Sequence, residues 1–300
     1  MRMAEVPVLQ QSRLRGGTFF ASILVVEFGE RKDLMRRREF LVASASAVMG
    51  LAASKATVAA EGQSNRQLLE LRTYRFASSA KQQAYERFLA EAAVAAFNRA
   101  GVEPVGIFRP TAKDDPASKA ADDTDLYVLL PHNSMESVIT LEDRLAADEG
   151  FQNAGVAILR APKSAPAYTR YQSTLLLAME GFPCVRVPAK SATRVFELRT
   201  YESHDTERAR NKIEMFNKGE FTIFDHAGMP GVFFGGAVVG PDLPQLTYMV
   251  VHQDVADMKK GWSAFFNDPA WKGLSGNPAY KDNVSKVIDL LLRPGAGSQI

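Results

Sequence analysis

Residues 69–76 alternate apolar and polar positions and are rich in branched and aromatic side chains, the pattern of a half-buried strand. Ser78 and Ser79 follow, and Ser79 with Gln82 makes the Ser-x-x-Gln signature of a helix start. Beyond it Tyr85, Phe88, Leu89, Ala92, Ala96 and Phe97 recur at three- and four-residue intervals, which predicts one apolar helical stripe ending at Gly101. Strands are predicted at 104–109 and 125–130 on either side of a polar loop at 113–124. Ser134 then caps a helix carrying Met135, Val138, Ile139 and Leu145, and a strand at 168–179 completes a βαββαβ order.

The pattern returns. Leu69-Glu70-Leu71-Arg72-Thr73-Tyr74 is answered by Phe196-Glu197-Leu198-Arg199-Thr200-Tyr201, and at the same spacing of 127 Ala100-Gly101 is answered by Ala227-Gly228 and Val105 by Val232. A strand at 194–202, a helix at 206–226, a hairpin through Val232 and Tyr248, a helix after Asp254 and a strand at 284–292 repeat the unit. Tyr127 aligns with Tyr248 at a spacing of 121 and Pro166-Ala167-Tyr168 with Pro278-Ala279-Tyr280 at 112, so the length changes fall in loops, where they are tolerated.

The organisation expected is a first α+β domain at 66–180, a Pro-containing linker at 181–193 and a second domain at 194–293. A βαββαβ unit forms a four-stranded antiparallel sheet with both helices on one face, leaving the other face uncovered. The fold class expected is therefore α+β: two tandem ferredoxin-like units joined as an intramolecular α+β barrel, helices outside and a lumen between the sheets.

Composition narrows the partners. Of 36 Lys and Arg and 34 Asp and Glu, the first 60 residues hold nine and five, so the rest carries 27 against 29 and lacks the basic face that nucleic acid needs. Cys184 is the single cysteine, which excludes intrachain disulfides and multi-thiolate metal sites. Residues 36–41, Arg-Arg-Arg-Glu-Phe-Leu, precede a weakly apolar stretch of about a dozen residues, too short for the roughly 20 residues of a membrane span, and then small residues at Thr57-Val58-Ala59-Ala60. Arg37-Arg38 with Phe40-Leu41 resembles a twin-arginine export signal, so 35–60 is expected to be a signal peptide. The mature protein would be periplasmic or secreted and free of a stable membrane span. Residues 1–34 precede Met35 and are expected to be a non-native or disordered leader.

In the first strand of each copy Glu70, Arg72 and Tyr74, and Glu197, Arg199 and Tyr201, share one face, and Leu69, Leu71 and Thr73 share the other. The apolar set is expected to face the helices and the charged set the lumen. There these six form either a salt-bridge and hydrogen-bond network that sets strand register or the contacts for an anionic ligand. Tyr74, Tyr201 and His204 are the candidates for proton transfer, His204 through its place near the barrel mouth. His132, His204, His226 and His252 have no metal-site spacing, so no metal and no cofactor is expected. Gly228, Gly231, Gly235, Gly236 and Gly240 lack the spacing and lysine of a phosphate loop and read as turns and a bulge.

Glu-Leu-Arg-Thr-Tyr opening each repeat, Ala-Gly at the helix end and the aromatic beside Asp268-Pro269-Ala270-Trp271 resemble the NIPSNAP family over residues 66–293. The resemblance implies a ferredoxin-like, dimeric α+β barrel fold. It implies no activity, since the wider barrel group mixes cofactor-free monooxygenases, haem-linked enzymes and ligand binders. Three readings follow: a barrel that holds a small organic ligand or a protein partner, a cofactor-free monooxygenase or isomerase acting in the lumen, or an interaction module with a filled core. A homodimer is compatible with each, and the space inside the barrel separates them.

Overall fold

The structure, a computed structural model, describes residues 66–111 and 124–300. The expected leader, signal peptide and nearly all of the 113–124 loop lie outside those residues. The first copy runs β1 (Leu68–Arg75), α1 (Ser79–Phe88), a π-helical turn (Leu89–Ala93), α2 (Val94–Arg99), β2 (Gly106–Pro110), β3 (Leu126–His132), α3 (Met135–Ala147), α4 (Glu149–Ala154), α5 (Val156–Leu159) and β4 (Arg170–Ala178). The second runs β5 (Val195–Glu202), α6 (Thr206–Met215), a π-helical turn (Phe216–Glu220), α7 (Phe221–His226), β6 (Gly231–Val239), β7 (Gln245–His252), α8 (Val255–Asn267), α9 (Pro269–Ser275) and β8 (Lys286–Pro294). Among the described residues no helix is long and apolar enough to cross a membrane.

The helix boundaries follow from local chemistry. Ser78 and Asp205, 127 residues apart, cap the first helices by accepting from the Lys81 and Arg208 amides. Ser134 and Asp254 do the same for α3 and α8. Gly101 and Gly228, at φ 75° and 68°, end α2 and α7. There the Val102 and Met229 amides reach back to Phe97 and Phe224, a closure that needs the left-handed backbone glycine supplies.

The strands close into an antiparallel barrel in the order β1-β3-β2-β8-β5-β7-β6-β4. Each copy contributes one four-stranded sheet, and the seams are β2 with β8 and β4 with β6. The copies are thus joined edge to edge by backbone hydrogen bonds, which removes the open sheet edges that would otherwise invite aggregation. Register sets the equivalences. Leu71 pairs with Leu129 and Leu198 with Met249, so β3 maps onto β7 at a spacing of 120, and Tyr127 answers Thr247 instead of Tyr248.

Sidedness is the reverse of the sequence expectation. Leu69, Leu71, Phe108, Tyr127, Leu129, Leu176, Ala178, Phe196, Leu198, Val232, Phe233, Met249, Val251, Leu290 and Leu292, from all eight strands, form one buried cluster that only the barrel interior can bring together. Phe108 and Phe196 meet there with ring centroids 5.0 Å apart. Glu70, Arg72, Tyr74 and their counterparts instead face the helical layer. An eight-stranded barrel is just wide enough for side chains to fill, so apolar residues take its interior and the charges are left on the outer face. A shift of register between Gly231 and Phe233 lets the adjacent Val232 and Phe233 both join the interior cluster.

Two further clusters pack helices on the outside of the barrel. Tyr85, Phe88, Leu89, Phe97, Leu141 and Leu145 lie over Val128 and Leu130 in the first copy, and Phe216, Phe224 and Phe265 over Tyr248 and Val250 in the second. Truncating the interior Phe196 to Ala should cost about 3–5 kcal/mol, whereas Val238→Ala on the exposed end of β6 should change stability by less than about 0.5 kcal/mol. Guanidinium denaturation of the two variants checks this.

Candidate functional site

β1 pairs with β3 and β4, so its outward side chains Glu70, Arg72 and Tyr74 sit in the middle of the first sheet beneath the helices. Arg72 grips Glu70 with two hydrogen bonds, Nε to Oε1 at 2.8 Å and Nη2 to Oε2 at 3.0 Å. Ser173 Oγ on β4 donates to the same carboxylate at 2.7 Å, and His132 Nε2 at the end of β3 lies 3.6 Å away. Burial alone would raise the Glu70 carboxyl, but His132 and Arg72 outweigh it and hold the group at about 2. Burial likewise opposes the Arg72 charge, and Tyr74 and Glu70 more than offset it. Arg72 also reaches Glu142 Oε1 on α3 at 3.0 Å, and that carboxylate side chain is 67% exposed.

Beside this pair lies a cavity of about 260 Å³ between the sheet and the helices of the first copy. Phe88, Leu89, Phe97, Leu145 and Phe151 supply apolar lining, and Arg72 and Glu142 are the charged groups in it. Four tyrosines complete it. Tyr74 stands 4.8 Å from Tyr85, 5.3 Å from Tyr168 and 5.2 Å from Tyr171, ring centre to ring centre. Burial raises the Tyr74, Tyr85 and Tyr168 hydroxyls above their ordinary value, so these rings are neutral hydrogen-bonding groups at neutral pH.

The second copy builds the same frame and fills it. Arg199 pairs with Glu197 at 2.7 Å, and His252 and Trp262 reach the other carboxylate oxygen at 3.2 and 2.7 Å. Its second carboxylate is Asp289 on β8, 2.5 Å from the guanidinium and directly opposite Arg199 in the strand register, where the first copy has Ser173 opposite Arg72. The space equivalent to the cavity holds a buried Lys212–Glu220 ion pair, with the ammonium 4.8 Å from the Phe216 ring and 5.7 Å from Trp271. Burial raises the Glu220 carboxyl and Lys212 only partly opposes it. Residues 196–299 match the NIPSNAP family model.

The NIPSNAP match covers the second copy, and the first reproduces its strand order and its π-helical turn, Leu89–Ala93 answering Phe216–Glu220 at the repeat spacing of 127. The barrel as a whole is similar to two solved structures described as candidate monooxygenases. One, from Fusobacterium nucleatum, aligns over 76% of this chain and 92% of its own at 12% identity and a TM-score of 0.52. The other, from Lactobacillus acidophilus, aligns over 78% and 98% at 12% identity and a TM-score of 0.53. At that identity the likeness is one of fold. An uncharacterized NIPSNAP-like domain protein from Burkholderia xenovorans aligns over 37% of this chain and 92% of its own, with 15% identity and a TM-score of 0.34. No curated protein matches the chain.

The residues singled out in sequence are therefore distributed as follows. Glu70, Arg72 and Tyr74 come together, with Arg72 and Tyr74 lining the cavity, but beneath the helices and not in the lumen. Glu197, Arg199 and Tyr201 form a closed network in which the Tyr201 hydroxyl meets that of Tyr248 at 2.8 Å. His204 is exposed in the turn before α6 and is not among the cavity-lining residues. No local pattern marks Glu142, Tyr85, Tyr168 or Tyr171 as site residues in the sequence, and His132 and His252 stand far apart in it. The signal for the histidines was present: the 120-residue spacing of β3 to β7 superposes them, whereas the Tyr127–Tyr248 alignment is out of step by one residue.

Glu70 makes acid stability a direct readout of this network. Its folded-state value lies below the ordinary 4.5, so the unfolded chain takes up the proton first as pH falls. The stabilisation is complete above pH 4.5 and is lost towards pH 2, and amounts to roughly 3 kcal/mol. Glu70→Gln should be less stable at pH 7 yet lose less stability across that acid window, as pH-dependent denaturation will report.

Proposed function

We propose that this protein binds a small organic ligand in the cavity between sheet and helices of its first copy. The observation that carries the reading is the cavity itself: a partly open space whose apolar side chains, four tyrosines, one arginine and one glutamate are the composition of a small-molecule site. The filled barrel interior supports this location over a lumen site, because the interior cluster draws on every strand of the barrel. The same filling counts against a lumenal monooxygenase or isomerase using Tyr201 and His204. Size limits the ligand. A cavity of roughly 150 Å³ accepts benzene, so about 260 Å³ suits one ring with a short substituent.

Export through a twin-arginine-type signal at 35–60 is part of the same reading, supported by the basic, apolar and small-residue order of that segment. A ligand-binding protein outside the cytosol would meet its ligand directly. Arg37→Lys with Arg38→Lys should leave the protein in the cytosolic fraction of a cell that exports the parent chain.

Binding is tested by copying the second copy into the first. Leu145→Phe with Ala146→Phe installs the equivalents of Phe265 and Phe266. Isothermal titration with phenylacetate, phenylacetamide and benzylammonium should give saturable binding to the parent protein for at least one of the three. The filled variant should lose it at an unchanged far-ultraviolet dichroism spectrum.

A further inference from the structure

Duplication gives this protein an internal control. Both copies place a Glu–Arg pair at the centre of the first strand and facing the helices, and both arginines engage a second carboxylate. The source of that second carboxylate differs. In the second copy it is built into the sheet as Asp289, directly across the ladder from Arg199. In the first copy the position across from Arg72 is Ser173, whose hydroxyl is committed to Glu70, and the role passes to Glu142 on α3.

Glu142 is a weak occupant of that role. Its side chain is 67% exposed, against 9% for Arg72, so it holds the guanidinium from the solvent side. Such a half-exposed contact contributes little, typically up to about 1 kcal/mol, because water competes for the carboxylate and a free side chain must be immobilised. Arg72 has no such freedom, being anchored to Glu70 and lying 5.8 Å from the centre of the Tyr171 ring. The counterpart of Glu142 in the second copy, at the β3-to-β7 spacing of 120, is Trp262, which closes over Arg199 at 4.7 Å and donates to Glu197.

We infer that the first-copy cavity takes a carboxylate-bearing aromatic molecule whose acid group displaces Glu142 from Arg72 and whose ring enters the tyrosine-lined space, one per chain. The ligand carboxylate takes at Arg72 the place that Asp289 takes at Arg199. The ring occupies the volume that Lys212 and the aromatic side chains take in the second copy. This deepens the binding reading above and rests on it. Glu142 then acts as an exchangeable plug: it neutralises Arg72 while the cavity lacks an acid and swings into water when one arrives. The second copy, with its carboxylate fixed in a strand and its space filled, offers no second site.

The test is isothermal titration of the whole protein with phenylacetate, its neutral isostere phenylacetamide, and benzylammonium. Phenylacetate should bind at one per chain and at least about tenfold more tightly than the amide, the discrimination expected of a charge-assisted hydrogen-bonded pair. Glu142→Gln should tighten phenylacetate severalfold and leave the amide unchanged, because it removes only the competing carboxylate. Ser173→Asp, which imports the second copy's arrangement, should weaken phenylacetate and spare the amide.

Equal affinity for acid and amide with no response to Glu142→Gln would overturn the carboxylate inference and leave the cavity reading standing. Preference for benzylammonium, lost in Glu142→Gln, would overturn it in favour of a cation held by Glu142. Two acids bound per chain would overturn the single-site assignment. If none of the three probes binds, the cavity reading falls together with the inference.

Discussion

Closure of the barrel by edge-strand pairing is the constraint on which everything else rests. Each four-stranded sheet has two free edges, and the β2–β8 and β4–β6 seams consume all four by joining the copies through their backbones. Once closed, the eight strands enclose a narrow space that side chains fill, and Phe108, Phe196 and Phe233 occupy much of it. Chemistry is thereby displaced outward. The layer between sheet and helices has room for a cavity with polar groups, because the helices cover the sheet without having to close a ring.

That layer carries one arginine–glutamate pair per copy, and the desolvation cost of a buried pair falls as more of its remaining hydrogen-bonding capacity is met. In the second copy His252 and Trp262 reach Glu197 and Asp289 reaches Arg199 Nη1, while the buried Arg199 Nε has no hydrogen-bond partner. In the first copy Ser173 and His132 address Glu70, while Arg72 looks to an exposed side chain for its second partner. The two copies thus differ in the source of the arginine's second carboxylate, a strand in one and an exposed helix position in the other. Space is left in the first copy, because Glu142 and Leu145 stand where the other copy has Trp262 and the buried Phe265.

Much of the architecture was legible in the chain. The Glu-Leu-Arg-Thr-Tyr repeat, the Ala-Gly helix ends and the capping serines and aspartates are local signals, and each lies where its chemistry requires. The sequence predicts one helix over 206–226, and the structure carries it through with a π-helical turn at its centre. The loop-length difference implied by the Tyr127–Tyr248 match is one residue off the strand register, since a shared tyrosine constrains register less than the ladder that pairs Leu198 with Met249.

Sequence by itself determined the duplication, the βαββαβ order and the pairing of like side chains on each strand face, because period and spacing are properties of a one-dimensional string. It could not decide which face of β1 looks inward. In a barrel wrapped by helices both faces are buried, so alternation separates two sets without naming their surroundings. Only tertiary structure decided that Leu69 and Leu71 fill the barrel, that Arg72 faces the helices, and that Glu142 and Tyr171, 70 and 99 residues away in the chain, meet it there. The physical reason is volume: a closed ring of eight strands has no room inside for two sets of charged side chains.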